Sequence, residues 1–101
     1  RVELSKYKVS PGDELDLKFI FENVTRDIKY IHVTLTLPEG FSADVTESVL
    51  CLQRKEEEKD DFITRKITVL PEAKNGKNVI YAHEKVEGRF TEAVVPIVLF
   101  I

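Results

Sequence analysis

Glu14-Leu15-Asp16-Leu17-Lys18-Phe19-Ile20-Phe21-Glu22 sets a large apolar residue at every second position, with mostly charged residues between. A period of two sends Leu15, Leu17, Phe19 and Phe21 to one face and Asp16, Lys18 and Glu22 to the other. That is the pattern of a half-buried antiparallel strand. The turn that launches it is also legible. Ser10-Pro11-Gly12-Asp13 puts a fixed φ beside a residue that tolerates φ > 0, so the chain reverses just before the strand begins.

The same pattern extends in both directions. Val2 to Val9 predicts a first strand, and Ile28 to Leu37 a third, alternating Ile31, Val33, Leu35 and Leu37 against Tyr30, His32, Thr34 and Thr36. Pro38-Glu39-Gly40 ends it. Phe41 to Val45 predicts a short edge piece, and Ser48 to Gln53 and Phe62 to Leu70 are further strands. Asn75-Gly76 marks a turn, after which Asn78 to Glu84 pairs with Phe90 to Ile101 across Glu87-Gly88. Pro96 inside the last strand predicts a bulge or an unpaired edge. An apolar last strand of this kind should be either central to the core or covered by a neighbouring domain. Leu15, Leu17, Phe19, Phe21, Ile31, Val33, Leu35 and Leu37 should share one core. Seven to eight short strands and no convincing helix give an all-β fold, an immunoglobulin-like antiparallel β-sandwich, with an incomplete barrel as the alternative.

Composition bounds the function. The 101 residues are expected to form a single domain, 1–101, and the absence of Met suggests a piece excised from a larger protein. A net charge of −3 offers no field for a phosphate backbone, which argues against nucleic acid. No apolar run is long enough to insert into a membrane. Charged residues at 33% and few thermolabile residues predict a thermophile source. With a single cysteine, Cys51, no intrachain disulfide can brace the fold; its strand-like setting predicts a small buried hydrophobe rather than a reactive thiol.

The candidate sites are few. His32 and His83 stand on predicted strands, and with a carboxylate they could meet in space to bind zinc; exposed strand positions are the plainer reading. The run from Arg54 through Glu56-Glu57-Glu58 to Asp60 and Asp61 lacks the carboxylate spacing and glycine bend of a calcium loop, and its lysines would repel the ion. It reads as a solvated hairpin tip. Asn23-Val24-Thr25 is a possible glycosylation acceptor if the domain is exported. Tyr7, Tyr30 and Tyr81 are possible surface-contact aromatics for sugars, or half-buried packing residues with wet hydroxyls. No phosphate loop, metal-protease or hydrolase motif accompanies them, so neither a catalytic residue nor a cofactor is expected and the chain reads as a non-enzyme.

Pro11-Gly12-Asp13, Phe19-Ile20-Phe21-Glu22-Asn23 and Leu35-Thr36-Leu37-Pro38-Glu39-Gly40 follow in the order seen in a known module. The later Ile67-Thr68-Val69-Leu70-Pro71-Glu72-Ala73-Lys74-Asn75-Gly76 is similar to its Pro-x-Ala-x-x-Gly turn. The chain resembles the immunoglobulin-like repeats of prokaryotic, archaeal-type surface proteins: the cell-adhesion-related (CARDB) and NPCBM-associated NEW3 domains. It departs from them at Asn23-Val24-Thr25, where that family often has Asn-Gly. The resemblance implies a non-catalytic structural, spacer or adhesion module of a larger, exported protein, at the cell surface or outside it. Its implied partners are other domains of the same chain and a protein or polysaccharide surface. A carbohydrate-binding module serving a glycosidase, and an intracellular domain that pairs through a sheet edge, are the rival readings.

Overall fold

The structure, a computed structural model, describes residues 1–21, 29–52, 61–88 and 90–101. Among the described residues eight strands follow in order: β1 (Val2–Leu4), β2 (Glu14–Phe21), β3 (Lys29–Thr36), β4 (Phe41–Ala43), β5 (Glu47–Leu52), β6 (Asp61–Val69), β7 (Lys77–Val86) and β8 (Ala93–Phe100). They form two four-stranded antiparallel sheets, ordered β1-β2-β6-β4 and β5-β3-β7-β8. The fold is an all-β sandwich of two separate sheets rather than a barrel.

Alternation decides which faces meet. Leu15, Leu17 and Phe19 of β2, Ile31, Val33 and Leu35 of β3, Ile63, Ile67 and Val69 of β6, Ile80 and Ala82 of β7, and Ile97 and Leu99 of β8 are all buried in one cluster. Phe21 and Leu37, at the strand ends, are half-buried and pack on its rim. Ile20, the one break in the β2 alternation, is buried on the outer face, opposite Phe62, whose ring takes the Lys18 ammonium at 4.5 Å.

The turns behave as their chemistry requires. At Ser10-Pro11-Gly12-Asp13 the Asp13 N–H donates to the Ser10 carbonyl (3.0 Å), with Gly12 at φ 92°. Pro38 to Phe41 closes the same way: Phe41 N–H donates to the Pro38 carbonyl (3.2 Å) and Gly40 has φ 87°. Both are the Gly-at-third-position geometry in which a side chain would be strained.

One expectation is corrected and another is narrowed. Val2 to Val9 is not one strand. β1 pairs with β2 through Leu4, Ser5 ties itself to Asp16, and the chain then crosses to the other sheet. There Lys8 bridges Phe100 in parallel, with Val9 N–H donating to the Phe100 carbonyl (2.9 Å) and Phe100 N–H to the Tyr7 carbonyl (2.8 Å). The crossing lets Val9 enter the core while Tyr7 stays exposed. At Pro96 the expected unpaired edge is found and the bulge is not: the β7–β8 register runs unbroken through Tyr81↔Pro96. The Phe100 N–H points away from β7, and with a period of two so does the nitrogen of Pro96. The missing donor therefore faces the edge, where no ladder bond is lost. β8 is that edge, not a central strand. Its inward Ile97 and Leu99 are buried, and its outward Val94, Pro96 and Phe100 are exposed.

Candidate functional site

The outward face of β3 and β7 collects most of the chemistry the sequence offered. Register places Thr34 opposite His83, Thr36 opposite Tyr81 and His32 opposite Lys85. His32 and His83 are thus diagonal neighbours on one face. With Thr34, Lys85, Glu87 and Glu92 they line an open hollow of about 450 Å³.

His83 is held on both sides. Its Nδ1 lies 2.8 Å from Glu92 Oε1, and its Nε2 lies 3.1 Å from Thr36 Oγ1. An ionised carboxylate only accepts, so Nδ1–H donates to Glu92. In the neutral ring Nε2 then accepts from the Thr36 hydroxyl. Hydroxyl, imidazole and carboxylate stand in a relay that sequence reasoning missed. Glu92 lies in the connection between β7 and β8, and nothing local in the sequence pairs it with His83. The signal available was the alternation itself, which puts Thr34, Thr36 and His83 on one outer surface.

The two contacts of His83 tie β3, β7 and the β7–β8 connection together. Thr36 uses its backbone N–H and C=O in the ladder with β7, because the Glu87 N–H to Tyr30 carbonyl bond sets even-numbered β3 residues toward that strand. The His83–Glu92 bond fastens the β7–β8 connection onto the sheet. Zinc chemistry is equally constrained: both ring nitrogens of His83 are engaged and the ring leans toward Thr36, away from His32. Among the described residues no group of three or more His, Cys, Asp and Glu is arranged to hold a metal ion.

The other candidates scatter. Tyr30 and Tyr81 share the outer face of this sheet, but Tyr81 sits opposite Thr36, six residues along β3 from Tyr30, or about 20 Å at ~3.3 Å per residue. Tyr7 is exposed on the segment beside Phe100. The three rings therefore make no adjacent stacking pair. Cys51 is half-buried on β5. Asn23 and the charged run 54–60 lie outside the described residues.

Two further features were not foreseen. Glu84 points inward, opposite Val33, and burial pushes its carboxyl above the ordinary carboxylate value, with the Arg1 ammonium pulling the other way. Arg65 also points inward, from β6 toward Ser48 of β5 (Nε to Oγ 2.9 Å, Nη2 to Oγ 2.7 Å), while Nη1 donates to the Thr64 carbonyl at 3.0 Å. A shallow apolar groove of about 350 Å³, lined by Val2, Leu4 and Val95 to Val98, runs between the two sheet edges β1 and β8.

The chain matches no protein-family model and no curated protein. What can be said of its class comes from its own architecture: it is a β-sandwich.

Proposed function

We propose that this domain is an immunoglobulin-like, non-catalytic module that serves as a spacer or adhesion element of a larger, exported prokaryotic protein. The observation that carries the reading is where the first and last strands run. Arg1 pairs with Ile20 at one end of the sandwich, its nitrogen donating to the Ile20 carbonyl (2.9 Å) and its carbonyl accepting from the Ile20 N–H (2.7 Å). Ile101 pairs with Gly76 at the opposite end, beyond the far end of the ten-residue β7. Entering at one end and leaving at the other lets such modules be threaded in series, each adding about 30 Å of strand length.

Strand order supports the immunoglobulin type. In a constant-type domain one sheet holds the first, second, fifth and fourth strands, the other the third, sixth and seventh. Here β1-β2-β6-β4 and β3-β7-β8 follow that order, with β5 as an extra strand beside β3. The outward apolar run Val94, Pro96, Val98 and Phe100 on β8, next to Tyr81 and Val79, supports contact with a neighbouring domain or polymer surface.

The test is an exchange in the protein that carries this module. Replacing it with an unrelated sandwich of equal length leaves attachment intact if it is a spacer and abolishes attachment if it is the adhesive element. Recovery of the native protein only from the cytoplasm overturns the exported reading. Binding of the isolated domain to a polysaccharide favours the carbohydrate-binding alternative.

A further inference from the structure

We propose that Lys8, Phe100 and Lys77 form a docking surface for the next domain of the parent protein, which meets them with carboxylates set around an apolar side chain. This rests on the serial arrangement proposed above.

Three segments bring the row together on the outer face of the β5-β3-β7-β8 sheet. Lys8 bridges Phe100 in parallel, and Phe100 pairs with Lys77 across the β7–β8 ladder. Paired residues project to the same side of a sheet, so the two lysines flank the ring, their backbones about 10 Å apart at ~4.8 Å per strand. The next rows, Val98 with Val79 and Pro96 with Tyr81, continue the apolar surface. Phe100 is 45% exposed and Tyr81 43%. The segments around the row, 5–9, 36–40, 74–81 and 94–101, all belong to the described residues and leave its outer side open.

Charge identifies the occupant. Lys6, Lys66 and Lys74 each have a carboxylate, at 3.7 Å (Asp13), 3.5 Å (Glu14) and 3.6 Å (Glu39). Lys8 and Lys77 are exposed and have no ion-pair partner among the described residues. No Asp or Glu occupies the outward positions of these rows. In a chain of net charge −3, two uncompensated cations around an exposed ring are complementary to an acidic partner. An apolar centre with a charged rim is the anatomy of a protein interface. The backbone of Phe100 is already spent on Tyr7 and Val9, so the partner meets the side-chain face rather than the strand edge.

Position favours the next domain over a free protein. Ile101 exchanges both backbone bonds with Gly76, each 3.0 Å, immediately before Lys77. The chain therefore leaves from a fixed point one residue beyond Phe100. A domain tethered there is held at an effective concentration on the order of millimolar, so a small surface suffices. A free partner needs about 800 Å² of buried surface on each side.

Lysine acetylation of the purified parent protein, read by mass spectrometry, tests this, with Lys66 on the opposite sheet as the internal reference. Lys8 and Lys77 should react at least tenfold more slowly than Lys66, and a carbodiimide should link them to carboxylates beyond residue 101. Lys77→Glu, a change at an exposed side chain, should keep the melting curve of the module and raise the reactivity of Lys8 at least fivefold. A next domain that leaves Lys8 and Lys77 as reactive as Lys66, and unlinked, overturns the docking surface and leaves the serial reading standing. A parent with no domain after Ile101 overturns both.

Discussion

Gly40 rests against Ala73 so closely that a Cβ on Gly40 would lie 2.3 Å from the Ala73 Cα. The turn after β3 and the turn after β6 are thus one contact, locked further by the Leu70 N–H donating to the Gly40 carbonyl at 2.8 Å. Two motifs that stand 33 residues apart in the chain, Leu-Pro-x-Gly and Pro-x-Ala, are halves of a single packing arrangement.

Gly40→Ala should therefore destabilise the domain far more than Gly12→Ala. Gly12 has open space around it, and there the left-handed backbone alone costs a side chain about 1–2 kcal/mol. At Gly40 the same strain is joined by a clash with backbone that has no way to move aside. Urea midpoints of the two variants compare them directly; equal losses would contradict the contact.

Arg65 and Ser48 join the two sheets. Removing either, as Arg65→Ala or Ser48→Ala, should lower stability by about 1.5–3 kcal/mol, the range for a hydrogen bond to a charged group. Because they share one interaction, the double variant should lose clearly less than the two single losses added together. Additive losses in denaturant titrations would show that the pair does not interact.

Phe19 and Leu17 are essentially inaccessible to solvent at the centre of the core. Phe19→Ala should cost about 3–5 kcal/mol and Leu17→Ala about 2–5 kcal/mol. Thermal or chemical melts unchanged from wild type would refute the inward face of β2.

Glu84 gives the stability a pH dependence of definite sign. Its folded carboxyl value is raised above the ordinary 4.5 by burial, so between the two values the folded state binds more protons than the unfolded one. Stability from this group is greatest below pH 4.5 and declines as pH rises toward the folded value. Glu84→Gln should melt higher than wild type at pH 7, and the gain should vanish below about pH 4. A gain that grows on acidification would reverse the assignment.

Zinc should find no saturable site of micromolar affinity or tighter at neutral pH. His83 would have to give up Glu92 or Thr36 to offer a ring nitrogen, and His32 lies on the side from which the ring turns away. Calorimetric titration decides it, and a stoichiometric heat would return His32, His83 and Glu92 to consideration as ligands.

Much of the fold was legible because strands declare themselves locally. The alternation around Leu17 and Phe19, the turn at Pro11-Gly12 and the stop at Pro38 each follow from the geometry of a few neighbouring residues. The candidate site was legible only in part. His32 and His83 could be singled out as residues, but their sharing a hollow depends on the register between β3 and β7, and their distance from a metal geometry depends on Thr36 and Glu92.

The sequence by itself determined that this chain is built of strands, which side chains of β2 and β3 face inward, and where most turns fall. Those properties depend on a period of two and on the φ preferences of proline and glycine, which act over a handful of residues. Tertiary structure alone decided that the chain leaves β1 after Leu4 to cross between sheets, and that the nitrogen of Pro96 faces the edge. It also decided that Gly40 meets Ala73, Arg65 meets Ser48 and His83 meets Glu92. Each of these depends on which strands become neighbours and in what register, and pairing between distant segments is set by the packing of the whole core rather than by any local stretch of sequence.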